Sequence, residues 1–180
     1  MKRTRSLRTA SSLLLTAVVI TGTLTAGVTS AAATDAPASA PQAPAAPCTH
    51  NQLVANSAQR VGATVVRVTV INEGPKPCVL RGFPTVALAG QGSPDKNRPL
   101  TVTRQGKAGP VTLRVGGTAS TLIGFKPVLG EADGYCASGA EPTVAPSMVV
   151  GVAGGALQLG PADGGDFALC GTTVTATAFR

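Results

Sequence analysis

The apolar residues of this chain come in short runs of Val, Thr, Ile and Leu, cut at close intervals by Gly, Pro, Asn and Asp. Such punctuation leaves little but strands to build with. Between the runs nothing shows ten residues of helical periodicity free of Gly or Pro, so almost no helix is expected. The clearest run is Val61–Ile71, closed by Asn72-Glu73-Gly74-Pro75. By period two Val66, Val68 and Val70 share one face while Arg67 and Thr69 point the other way, the pattern of a half-buried antiparallel strand. Further strands are expected at Leu53–Gln59, Thr85–Ala89, Leu100–Arg104, Val111–Val115, Ser120–Lys126, Ser147–Ala153, Ala156–Leu159 and Thr172–Phe179. Gly90-Gln91-Gly92, Gly116-Gly117 and Gly154-Gly155 supply turn chemistry between them. About seven to nine short strands at this spacing predict an all-β fold, an immunoglobulin-like Greek-key β-sandwich, with a small barrel as the competing architecture.

The amino end has a different texture. Lys2, Arg3, Arg5 and Arg8 precede an apolar run centred on Leu13–Ile20, and small residues follow at Ser30-Ala31-Ala32-Ala33. That order is a secretory signal peptide over residues 1–33, with cleavage expected after Ala32 or Ala33. A membrane anchor needs about 20 predominantly apolar residues, and the stretch from Leu13 to Ala26 is too short and too rich in Thr. The arginines are not adjacent, which speaks against a twin-arginine signal. A lipidated amino terminus would need a cysteine directly after the apolar run, and the first is Cys48.

Residues 34–47 are Pro/Ala-rich with nothing large to bury and read as a disordered tether. The folded domain is expected over 48–180. The formal charge of +7 mostly reflects the leader: without Lys2, Arg3, Arg5 and Arg8, eleven cations face eight acids. The remaining cations are scattered singly, which excludes the basic stripe that nucleic-acid backbones require.

The cysteines are Cys48, Cys78, Cys136 and Cys170, an even set in a chain bound for an oxidising compartment. None lies in a C-x-x-C pair and zinc spacing is absent, so two disulfides are expected. Three pairings are open in principle. If Leu53–Gln59 and Val61–Ile71 fold back on each other about Arg60, their outer ends meet and Cys48 comes to Cys78, leaving Cys136 for Cys170.

The segment Val65–Asn72, then Asn72-Glu73-Gly74, then Pro77-Cys78-Val79-Leu80-Arg81-Gly82-Phe83-Pro84 resembles the actinobacterial secreted domain of unknown function 4232 family. Val111–Ala119, Cys136, Pro142–Pro146 and Cys170 extend the likeness across most of the mature chain. The resemblance implies a secreted or cell-envelope β-sandwich and brings no activity with it. Where such sequences often carry a tryptophan after the Gly-Gly-Thr-Ala turn, this chain has Phe125 and no Trp.

No residue pattern carries chemistry. His50 is the sole histidine, beside Cys48 at the edge of the tether, and reads as a solvated or locally packed side chain rather than a catalytic base. A G-x-S-x-G elbow is missing, and a copper site would need a second His. Asp163-Gly164-Gly165-Asp166 lacks the order of a calcium loop and reads as a polar turn, as does Glu131-Ala132-Asp133-Gly134. The rings Phe83, Phe125, Tyr135, Phe167 and Phe179 are too few for a stacking platform.

The chain is therefore expected to have no catalytic, cofactor or metal residues, and its four cysteines are its only special positions. A monomeric, non-catalytic extracellular or cell-envelope binding module is the reading, with no nucleic acid, no membrane insertion after cleavage, and an unidentified envelope or extracellular ligand. A small secreted hydrolase or hydrolase inhibitor is the alternative, for which Cys136 and its neighbours up to Pro146 form the nominated working loop.

Overall fold

A computed structural model describes residues 43–130 and 134–180. The expected signal peptide and the tether up to residue 42 lie outside the described residues. Thirteen strands are assigned among the rest: β1 Leu53–Val54, β2 Ala58–Gly62, β3 Val65–Asn72, β4 Cys78–Leu80, β5 Thr85–Ala89, β6 Asn97–Gln105, β7 Val111–Leu113, β8 Thr118–Gly124, β9 Thr143–Ala145, β10 Ser147–Val152, β11 Gly155–Leu159, β12 Phe167–Leu169 and β13 Thr173–Thr177. The single helical element among the described residues is a 3-10 turn at His50–Gln52. The chain is thus all-β with two disulfides.

Nine strands pair along one continuous path, β1-β3-β8-β13-β6-β5-β10-β11, with β2 also on β3; β12-β9 and β4-β7 are separate two-stranded ladders. Alternation decides which way each strand faces. In β3 Val66, Val68 and Val70 are buried and Arg67 is exposed, as period two requires. Its neighbour β8 turns Ala119, Thr121 and Ile123 inward, and β13 turns Val174 and Ala176 inward. Strand β10 is buried on nearly every residue, because Met148 and Val150 enter the main core while Val149 packs with Ala87 and Ala89 on the other face of the sheet.

Strand β6 is shared between two different neighbours. Asn97–Leu100 pair antiparallel with β5 and Thr101–Gln105 pair parallel with β13. The path therefore curls, and its two ends meet: the Ala58 N–H donates to the Gly160 carbonyl at 2.9 Å and the Ala162 N–H to the Ala58 carbonyl at 2.9 Å. One core serves the whole curl, with Val66, Ile123, Met148, Leu159, Phe167 and Leu169 among its members. Burying each such side chain is worth about 1.5–3 kcal/mol, so the core as a whole outweighs any single cross-link. A second cluster at the other end of β3 gathers Leu53, Val70, Leu80, Leu113 and Phe179 around Cys48 and Cys78.

Some expected boundaries are corrected. Arg60 does not separate two strands; it lies inside β2, and the chain reverses at Ala63-Thr64. A single residue is too short to reverse an antiparallel pair, for which two-residue loops are the common minimum, and a register shift between Arg60 and Gly62 accommodates the turn. The stretch Leu53–Gln59 divides into β1 and the start of β2, each on β3. The strand expected at Val111–Val115 stops at Leu113, because Arg114–Gly117 form a turn closed by the Gly117 N–H on the Arg114 carbonyl at 2.8 Å. Ladder bonding also reaches into the stretch read as tether: the Val79 N–H donates to the Ala46 carbonyl at 2.8 Å and the Cys48 N–H to the Val79 carbonyl at 3.0 Å.

Candidate functional site

Cys48 bonds Cys78 with Cα atoms 4.8 Å apart, and Cys136 bonds Cys170 at 5.5 Å. The first bridge follows from the pairing of β1 with β3. Leu53 lies opposite Asn72, so the segments flanking them leave the ladder at the same end. All four cysteines are buried. The first bridge is part of the second core cluster and has only structural work to do.

The second bridge borders the surface. After β8 the chain leaves the sheet through Phe125-Lys126-Pro127, and the Cys170 N–H donates to the Lys126 carbonyl at 3.2 Å. Leu129 and Tyr135 then pair backbone to backbone, each N–H on the other's carbonyl, at 2.9 and 2.8 Å. Past Cys136 the chain turns sharply, with the Gly139 N–H on the Cys136 carbonyl at 2.8 Å. Lys126, Pro127, Leu129, Ser138, Gly171 and the disulfide enclose a mostly apolar groove of about 540 Å³. Among the described residues Lys126 is its one charged wall.

The segment that leads into the groove is anchored at Phe125. Phe125, just before Lys126, meets the fully buried Phe167 edge to face at 6.3 Å, an arrangement worth about 0.5–1.5 kcal/mol beyond burial. Beside it, Tyr135 is 59 % exposed and Leu129 38 % exposed. Large apolar side chains held in water next to an apolar groove are what a contact surface presents.

The stretch nominated from sequence, Cys136 to Pro146, divides in two. Cys136, Ala137 and Ser138 line the groove, whereas Thr143–Ala145 are β9, paired with β12. Lys126, Leu129 and Tyr135 were missed. Their only advance sign was Pro127-Val128-Leu129-Gly130, a short apolar run at the end of a strand, which by itself says nothing about exposure.

His50 is exposed and opens the 3-10 turn. Its ring lies so close over Gly155 that a Cβ there would fall 2.2 Å from the His50 Cγ. It is a locally packed side chain. In the Asp163–Asp166 turn, Asp163 Oδ1 accepts from the Gly165 N–H at 3.3 Å, Oδ2 pairs with Arg60, and the Arg60 guanidinium also donates to the Asp166 carbonyl at 2.8 Å. The Arg60 hydrogen bond, followed by that from Gly165, holds the Asp163 carboxyl below the usual aspartate range. This carboxylate is committed to closing the turn. Glu131 and Asp133 lie outside the described residues. Among the described residues no three His, Cys, Asp or Glu side chains come together as a metal set, and no helix is long and apolar enough to cross a membrane.

These observations define an all-β domain cross-linked by two disulfides, with one bridge in the core and one walling a surface groove. Residues 48–180 match the model of the Domain of unknown function (DUF4232), and the chain belongs to that family. No curated protein and no solved structure matches it.

Proposed function

We propose that the protein is an exported, non-catalytic binding module of the cell envelope or extracellular space, and that it holds its ligand in the groove beside Cys136–Cys170. In this reading residues 1–33 are a cleaved leader, the Pro/Ala stretch is a tether, and the curled sheet is an immunoglobulin-like sandwich that offers loops on a rigid frame. The observation that carries the proposal is the groove: an apolar recess on a segment fixed by a disulfide, with Leu129 and Tyr135 exposed at its edge. Preorganisation of that kind lowers the ordering cost of binding.

The test is capture of cell-envelope fragments and culture proteins on the immobilised oxidised protein, beside Leu129→Asp and Tyr135→Asp. Specific ligand retained by the parent and reduced at least tenfold in both variants supports the reading. Retention unchanged by both variants, or turnover of generic ester, peptide or glycoside substrates, overturns it. Inhibition of a secreted hydrolase, lost in the same variants, replaces it with the inhibitor alternative.

A further inference from the structure

Strand β9, none of whose residues lines the Cys136–Cys170 groove, pairs with β12 through Thr143–Ala145, and no other strand pairs with it among the described residues. Its second edge carries backbone N–H and C=O groups with no ladder partner, which is a template for an added strand. Beside β9 lies a cleft of about 370 Å³, whose other walls are Leu88, Ala89 and Gly90 at the end of β5 and Lys96, Asn97 and Arg98 at the start of β6. Strand β6 is likewise unpaired on one side there. The Thr101 N–H donates to the Thr172 carbonyl at 2.8 Å, so by alternation Asn97 and Pro99 turn their backbone groups the same way, yet pairing with β13 begins only at Thr101.

We propose that this cleft takes a short extended segment of an acidic peptide, added as a strand to the free edge of β9. Three observations converge on that occupant. The size fits: at about 3.3 Å rise, 4.8 Å strand spacing and 10 Å sheet thickness one extended residue fills roughly 160 Å³, so the cleft holds two to three residues, the length of β9. The charge fits: Lys96 and Arg98 are exposed, and among the described residues no acid lines the cleft and neither cation forms an ion pair. The pattern also fits, because Arg98, in register with Leu88, and the apolar Ala89, in register with Asn97, turn to opposite faces of the sheet, which suits a strand alternating apolar and acidic side chains. Main-chain bonds then supply affinity and the alternate side chains supply selectivity.

The probe is acetyl-Glu-Val-Glu-Val-Glu-amide titrated into the isotope-labelled oxidised protein and followed by amide NMR shifts. Strand addition predicts shifts centred on Thr143–Ala145 and Asn97–Arg98, binding at least tenfold weaker for the Lys96→Glu/Arg98→Glu double variant, and loss of binding for the same peptide methylated on its backbone nitrogens. Both substitutions lie on exposed positions, so folding is retained and checked from the remaining amides. No shift at β9, an affinity unaltered by the charge reversal, or equal binding of the methylated peptide overturns the proposal. Shifts of the same amides with protein concentration alone assign the edge to a second copy of the chain, and overturn it as well.

Discussion

Asn72 Nδ2 donates to the carbonyl of Leu113, 41 residues further along the chain, at 3.2 Å in a buried site. The same amide reaches the carbonyls of Lys76 and Arg114 at 3.0 and 3.3 Å, while Asn72 Oδ1 accepts from the Gly74 N–H at 3.0 Å. The backbone joins in, with Asn72 N–H on the Gly117 carbonyl and Gly116 N–H on the Asn72 carbonyl. One side chain thus stitches the end of β3 to the turn before β8. Gly74 completes the corner, since a Cβ there would sit 2.9 Å from Gln52 Cγ.

Asn72→Ala leaves buried carbonyls without a donor and is expected to lower stability by about 2–3 kcal/mol. Asn72→Asp at neutral pH sets a carboxylate oxygen against those carbonyls and is expected to cost more than the alanine. Urea titration of the two variants checks the order. Equal stability of parent and Asn72→Ala would show that the corner holds without the amide.

Removing either bridge by paired Cys→Ala substitution is expected to cost about 3–4 kcal/mol, from sequence separations of 30 and 34 residues. Non-reducing peptide mapping is expected to join Cys48 to Cys78 and Cys136 to Cys170. A chelator is expected to leave the melting curve in place, because the cysteines are consumed as bridges. A fall in Tm with EDTA contradicts this.

Gly155→Ala drives a methyl group into the His50 ring and is expected to lose about 1 kcal/mol through overpacking. Trimming the partner in Gly155→Ala/His50→Ala is expected to restore most of it. A double-mutant cycle with no coupling would mean that the ring moves away freely.

The Arg60–Asp163 contact is expected to respond to acid. Because the folded-state pKa of Asp163 is lowered, the stabilisation is present above the ordinary aspartate pKa and is lost as pH falls through the lower folded value. Both groups are solvent-accessible, so the effect is small and salt-sensitive. Carboxyl NMR titration reads it: Asp163 should titrate below the ordinary aspartate range, and Arg60→Ala should raise its pKa, leaving the smaller part owed to the Gly165 N–H.

Export is expected to remove the chain up to Ala32 or Ala33. Intact-mass measurement of protein from the culture medium reads the new amino terminus directly. Full-length protein held in the membrane fraction contradicts the leader.

The parts of the fold that follow local rules were legible beforehand. Val66, Val68 and Val70 declared the inner face of β3 because alternation is a property of the backbone, and Thr85–Ala89 coincides with β5 because turn residues bracket it. The strands β4, β9 and β12 were not foreseen. Each has three residues, too few to show a period, and each is a strand because of its partner rather than its own sequence. The parallel pairing of β6 with β13 leaves no local trace, since nothing in Thr101–Gln105 names Thr173–Thr177. The groove beside Cys136–Cys170 was half visible: the cysteine marked the region, but the exposure of Leu129 and Tyr135 depends on how the segment after Phe125 returns to the bridge.

The position of β13 governs the order of assembly. It lies between β8 and β6, yet it is made after both, so until Thr173–Thr177 arrive β8 and β6 each keep one bare edge, and the halves of the path are joined by the contacts of Ala58 with Gly160 and Ala162. A partner so distant in sequence makes closure slow relative to local hairpins. The sheet is therefore completed late, by a strand that finds both of its neighbours already made.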